Sequence, residues 1–174
     1  NRIIRNEFDF AGRPVRKSVF TSSGSLLYRA EIGYDAYGNP GTFKETLPGS
    51  SGFQTTITYN ADNQPTLISY SNGLRAQYFY DTLGRLYHRS VGPESGLQSG
   101  TEYEFLAGAN GSSSMLISKL TAANVILEYS YDALDRITSI TETKDGTTKT
   151  ITCVYDGFGQ LTRVNDPFDP TGGT

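Results

Sequence analysis

The chain has one cysteine, one histidine, one methionine and no tryptophan. A lone Cys153 excludes an internal disulfide framework and a thiolate zinc site. A lone His88 excludes a multi-histidine metal centre. No apolar run approaches the roughly 20 residues of a membrane-spanning helix, and no basic-then-apolar signal segment opens the sequence. Positive charge is also short. Fifteen Lys and Arg against 18 Asp and Glu leave a formal net charge of -3, without the clustered cations that track nucleic-acid phosphates. The 174 residues match one ordinary domain rather than two.

What is abundant points one way. Hydrophobic residues make up 36% and aromatics 12%, with 12 Tyr, 9 Phe and 19 Gly. Thr, Tyr, Phe, Val and Ile recur in short runs broken by Gly, Asn and Asp, which reads as strands and turns. The expected class is all-β, with helix close to nil and tyrosine rings supplying much of the buried area.

A repeat organises the runs. An aromatic followed by Asp or Asn, two further residues and a turn former appears as Phe8-Asp9-Phe10-Ala11-Gly12, Tyr34-Asp35-Ala36-Tyr37-Gly38 and Tyr59-Asn60-Ala61-Asp62-Asn63. It returns as Tyr80-Asp81-Thr82-Leu83-Gly84, Tyr131-Asp132-Ala133-Leu134-Asp135 and Tyr155-Asp156-Gly157-Phe158-Gly159. The aromatics are spaced by 26, 25, 21, 51 and 24 residues, so the gap of 51 should hide a seventh, degenerate unit. Tyr103-Glu104-Phe105-Leu106-Ala107-Gly108 fits that place, with Glu for Asp.

The unit has a physical reading. Asp at the first corner of a turn accepts from backbone N–H groups two and three residues on. The Gly three positions after it supplies the positive φ that closes a type I turn with a bulge; Asn63 and Asp135 tolerate that conformation better than other residues. An apolar residue two before the aromatic (Ile32, Ile57, Tyr78, Tyr129, Cys153) shares its strand face. After the turn, Ile137 with Ile140 and Leu161 with Val164 are spaced by an odd number, which requires a bulge if both face one way. Each unit is therefore a hairpin, and roughly a dozen strands should pair as one antiparallel meander. The segment Val91 to Gly100 reads as the longest irregular stretch.

Tyr-Asp-x-x-Gly-Arg-Leu, present as Tyr80 to Leu86 and varied as Tyr155 to Leu161, resembles the YD repeat of RHS-type proteins. These include bacterial RHS and wall-associated proteins, the C component of insecticidal toxin complexes, and animal teneurins. The resemblance covers about residues 8–165 and makes residues 1–174 a single array of about seven units, cut from a larger protein without terminal caps. It implies a strip of hairpins spiralling into a hollow β-shell, which encloses a toxic C-terminal effector in bacteria or supports surface adhesion in animals. The implied partners are the remaining repeats and that effector, and the implied location is secreted or cell-surface. Exposed edge strands imply edge-to-edge self-association of the piece.

Chemistry finds few footholds. Asp169-Pro170-Thr171-Gly172 resembles the family's autoproteolytic segment, but Gly173 stands where a large apolar residue belongs, and the stretch reads as a loop. The repeated aspartates are turn formers, without the Asp/Asn ladder of a calcium loop. Glu102, Glu104 and Glu128 are free carboxylates that nothing in the sequence pairs. Cys153 reads as a small apolar side chain, and His88 as a surface or strand-facing residue. Asn110-Gly111-Ser112 matches a glycosylation sequon but reads first as a turn. An enzyme would have to rely on Glu94 in the irregular segment. The expected reading is a structural module with no catalytic, cofactor or metal residue. The alternative is a surface module that binds carbohydrate through a row of exposed Tyr70, Tyr78, Phe79 and Tyr87; at least three coplanar exposed rings beside polar donors would favour it.

Overall fold

The computed structural model describes residues 1–96, 99–107 and 113–166. Their regular structure is entirely strand. In chain order the strands are β1 (Arg2–Phe8), β2 (Pro14–Thr21), β3 (Leu26–Tyr34), β4 (Pro40–Thr46), β5 (Phe53–Tyr59), β6 (Pro65–Tyr70) and β7 (Leu74–Tyr80). There follow β8 (Leu86–Pro93), β9 (Ser99–Ala107), β10 (Ser113–Ala122), β11 (Val125–Tyr131), β12 (Ile137–Lys144), β13 (Thr147–Tyr155) and β14 (Leu161–Asn165). All 14 strands hydrogen-bond to their sequence neighbours in one open antiparallel sheet. Fourteen strands exceed the dozen expected from the runs. Val91-Gly92-Pro93 continues β8 where the sequence suggested irregular backbone; Pro93 ends the strand because it has no N–H to donate.

Two compact units divide the chain, Asn1–Tyr78 with Ser90–Gln98, and Phe79–Arg89 with Ser99–Thr174. In the first, period-two alternation places Ile32 opposite Phe43, Phe43 opposite Thr55, and Ile68 opposite both Ile57 and Ala76. The other face of the same strands is polar, and there Arg16 bridges Glu7 and Glu31 at 2.9 Å each. In the second unit Tyr129 lies opposite Ile140, which lies opposite Ile151, and Leu120 lies between Tyr103 and Leu127. Cys153 stands opposite Val164 and Tyr155 opposite Leu161, so the cysteine shares the face of that tyrosine as its spacing predicts.

A single sheet covers its apolar side chains only from the flanks. Among the described residues Ala76 is the one buried apolar side chain, at 3% exposure. Ile4, Phe8, Phe43 and Phe53 remain exposed on the same sheet. Cross-strand pairs and turns must therefore supply the cohesion that a second layer gives most domains.

The odd-spaced apolar pairs are explained by bulges. The register slips by one residue where each strand meets its turn: Tyr131 faces Ile137 while Ser130 faces Ser139, and Tyr155 faces Leu161 while Val154 faces Arg163. Ile137 and Ile140 thereby stand opposite Tyr131 and Tyr129 on one face. The connections at the other strand ends are looser or tighter. Between β12 and β13, Asp145 and Gly146 both take positive φ (49° and 77°), as a two-residue type I′ hairpin requires.

Candidate functional site: a ladder of interlocked turns

In each described repeat turn the backbone closes the same way. The carbonyl of Asp35 accepts from Gly38 N–H at 3.1 Å, and Asp35 N–H donates to the carbonyl of Asn39 at 2.9 Å. Asp35 Oδ1 accepts from the N–H groups of Tyr37 and Asn39, both at 2.9 Å. Asp9, Asn60, Asp81, Asp132 and Asp156 repeat this pattern. The side chain thus serves the amides two and four residues on, and not two and three as the turn type suggests; the third amide is already engaged by the main-chain carbonyl. Gly12, Gly38, Gly84 and Gly159 hold φ between 75° and 90°, and Asn63 and Asp135 take the same conformation at 59° and 61°.

The residue after that position links one turn to the next. Arg13, Arg85 and Arg136 each place Nε 2.7 Å from the second oxygen of Asp9, Asp81 and Asp132. The same guanidinium groups then lie over the aromatic of the following repeat, Arg13 over Tyr34 at 4.3 Å and Arg136 over Tyr155 at 4.4 Å. The tyrosine hydroxyl completes the lock. Tyr34 Oη donates to the carbonyl of Pro14, Tyr59 to Pro40, Tyr131 to Ile117 and Tyr155 to Ile137, at 2.8–3.0 Å. Pro14, Pro40 and Ile137 each head the strand leaving the preceding turn, whereas Ile117 lies inside β10. Where Asn39 replaces Arg, its amide reaches Asn63 at 2.7 Å instead. The hydrogen bond from Arg136 holds the Asp132 carboxyl below the ordinary range, against the opposing effect of desolvation. For Asp9 the bond from the Arg13 amide is the leading cause of the same lowering.

Between Tyr80 and Tyr131 the interlocking contacts recur in a different phase from the one the sequence suggested. Arg85 lies over Phe105, at 4.3 Å, and not over Tyr103. Phe105 faces Ile117, whose carbonyl is the acceptor for Tyr131. Tyr103 and Glu104 therefore lie within β9, with Glu104 opposite Lys119. Counting from Phe105 makes the flanking spacings 25 and 26, a regularity present in the sequence although Phe105 is followed by Leu106 and not by Asp.

The remaining predicted residues belong to both units. Phe8 ends β1 at 60% exposure and Tyr80 ends β7 beside its turn. Tyr70 stacks on Phe53 at 6.1 Å. Alternation along β7 turns Tyr78 and Phe79 to opposite faces. Phe79 and Tyr87 are exposed and 6.4 Å apart, inclined by 49°. His88 packs on Phe79 with ring centroids 5.3 Å apart and sets Nδ1 3.7 Å from Glu102. Glu104 meets Lys119 at 3.2 Å. These two carboxylates, unpaired on paper, thus have neighbours that only strand register could reveal. Glu94 lends its amide to Gly73 and its carbonyl to Arg75. Asp169 to Gly172 and the sequon at Asn110 lie outside the described residues.

Sheet, register and turn ladder define a tandem β-hairpin repeat protein. The same fold is found in Tc toxin structures. A Photorhabdus luminescens Tc holotoxin pore with a mutated TccC3 matches 95% of this chain with a TM-score of 0.71 and 19% identity. Crystal structures of TcdB2-TccC3-TEV and TcdB2-TccC3-Cdc42 match with TM-scores of 0.65 and 0.67, both at 17% identity. The chain spans 9–11% of the length of those proteins. No family model matches, and no curated protein does.

Proposed function

We propose that this chain is a stretch of wall in an RHS-type β-shell, one continuous array contributing shape to a longer secreted or surface protein. The observation that carries the reading is the ladder. The repeated Asp, Arg and Tyr side chains, which could serve chemistry elsewhere, are engaged in holding one hairpin to the next. The likeness to Tc toxin chains supports the same reading, and with it a C-terminal effector and further repeats as partners. The exposed apolar face of a single sheet suits a wall that the rest of such a shell would cover.

The test uses the whole parent protein with a protease-sensitive polypeptide following the repeats. Added protease should spare that polypeptide in the intact protein and degrade it when Tyr131→Ala and Arg136→Ala open the ladder. Equal cleavage with and without the ladder would sink the proposal. A carbohydrate-binding role rests on Phe79 and Tyr87 alone, and a glycan array probed with the folded chain tests it.

A further inference from the structure

The repeat framework has no need of an aromatic at the residue before its tyrosine or at the residue seven after it. The first position holds Glu7, Gly33, Thr58, Ser130 or Val154 in other turns; the second holds Val15, Gly41, Thr66, Thr138 or Thr162. At Tyr80 these positions carry Phe79 and Tyr87, exposed by 39% and 45%. Neither ring is fully buried. Their planes meet at 49° with centroids 6.4 Å apart, which makes two walls of a corner and not the flat platform on which a sugar ring lies. His88 closes the side of Phe79, and Gly100 gives it room, since a Cβ there would stand 3.1 Å from His88 Cε1.

His88, which packs on Phe79, also faces the carboxylate of Glu102, 67% exposed. His88 Nδ1 at 3.7 Å is too far for a direct hydrogen bond, and the exposed carboxylate faces solvent. Glu104 lies two residues along the same strand face, and Lys119, the nearby cation, is drawn to it at 3.2 Å. Inclined rings with an adjacent carboxylate attract a cation through the ring quadrupole and by direct charge.

We infer that Phe79, Tyr87 and Glu102 form a recognition site for an alkylammonium group, the side chain of a lysine on a bound polypeptide. The charge of the surroundings selects between sources. A choline headgroup would bring its phosphate against Glu102 and Glu104, and it has no N–H to give the carboxylate.

The test titrates the 174-residue chain with a Gly-Lys-Gly peptide while NMR follows assigned aromatic and Glu102 resonances. Shifts should be confined to Phe79, Tyr87, His88 and Glu102. Affinity should fall about tenfold or more in Phe79→Ser/Tyr87→Thr, which installs residues found at these positions in other turns, and similarly in Glu102→Gln. A norleucine peptide should leave the spectrum unchanged. Should the double variant misfold, Glu102→Gln alone decides. Equal binding of the norleucine peptide, or unchanged affinity in Glu102→Gln, would overturn the assignment. So would shifts at these residues caused by methyl glucoside or phosphocholine vesicles and not by the lysine peptide.

Discussion

Arg136 keeps Nη2 2.6 Å from Asp132 while its guanidinium carbon lies 4.4 Å from the centroid of the Tyr155 ring. One side chain therefore belongs to two hairpins. It braces the turn that carries it and covers the ring that ends the next repeat. Because the tyrosine hydroxyl returns to the carbonyl of Ile137, the contact is reciprocal. Neighbouring repeats are coupled along the turn edge as well as through strand hydrogen bonds.

The coupling is measurable. In a double-mutant cycle of Arg136→Gln and Tyr155→Leu, the interaction energy should be about 0.5–1 kcal/mol, the range of a partly exposed cation–π pair. Urea denaturation of the four proteins gives the value. Strict additivity would show that the stacking is incidental.

The hydroxyl has its own share. Tyr131→Phe should cost about 0.5–1.5 kcal/mol through loss of the bond to Ile117, with the ring left in place. Tyr103→Phe, two residues from the ladder position in its repeat, should cost less. The two midpoints can be compared directly by thermal unfolding.

Positive φ sets the requirement at the turn corner. Gly84 has φ 75°, so Gly84→Val should cost about 1–2 kcal/mol or more and lower yield of folded protein. Asp135→Gly, which removes a side chain from φ 61°, should be neutral or stabilising. Circular dichroism melts would expose the contrast; similar losses in both would contradict it.

Acid should loosen the ladder. Asp9 and Asp132 have carboxyl values below the ordinary 3.8, as do Asp35 and Asp81, where hydrogen bonds outweigh the opposing desolvation. A lowered folded value means that the contribution is present above the unfolded value and lost as pH falls through the folded one. Stability should therefore decline from about pH 4 downward, below the ordinary Asp value. Asp132→Asn should flatten that decline, as measured by urea unfolding at pH 7 and pH 3. An unchanged slope would remove Asp132 from the account.

Much of this arrangement was legible because the information is local. A turn needs an acceptor at its first corner and a residue that tolerates positive φ three positions later, so Asp35 with Gly38 or Asn60 with Asn63 announce themselves over four residues. The bulge was implied by the odd interval between Ile137 and Ile140. The phase of the fifth repeat was less plain, because Phe105 lacks the Asp that marks its neighbours, and its role is defined by Arg85, twenty residues upstream.

The sequence by itself determined the strand-and-turn grammar: hairpins, their approximate period, their order and the corner residues. Those follow from backbone conformations that few residue types can adopt. Tertiary structure decided what the arginines and tyrosine hydroxyls do, and that His88 meets Glu102. Such pairings depend on register and on which strand end faces which. A one-residue slip would reverse every face, and composition places no limit on that slip until the bulges and the ladder are in place.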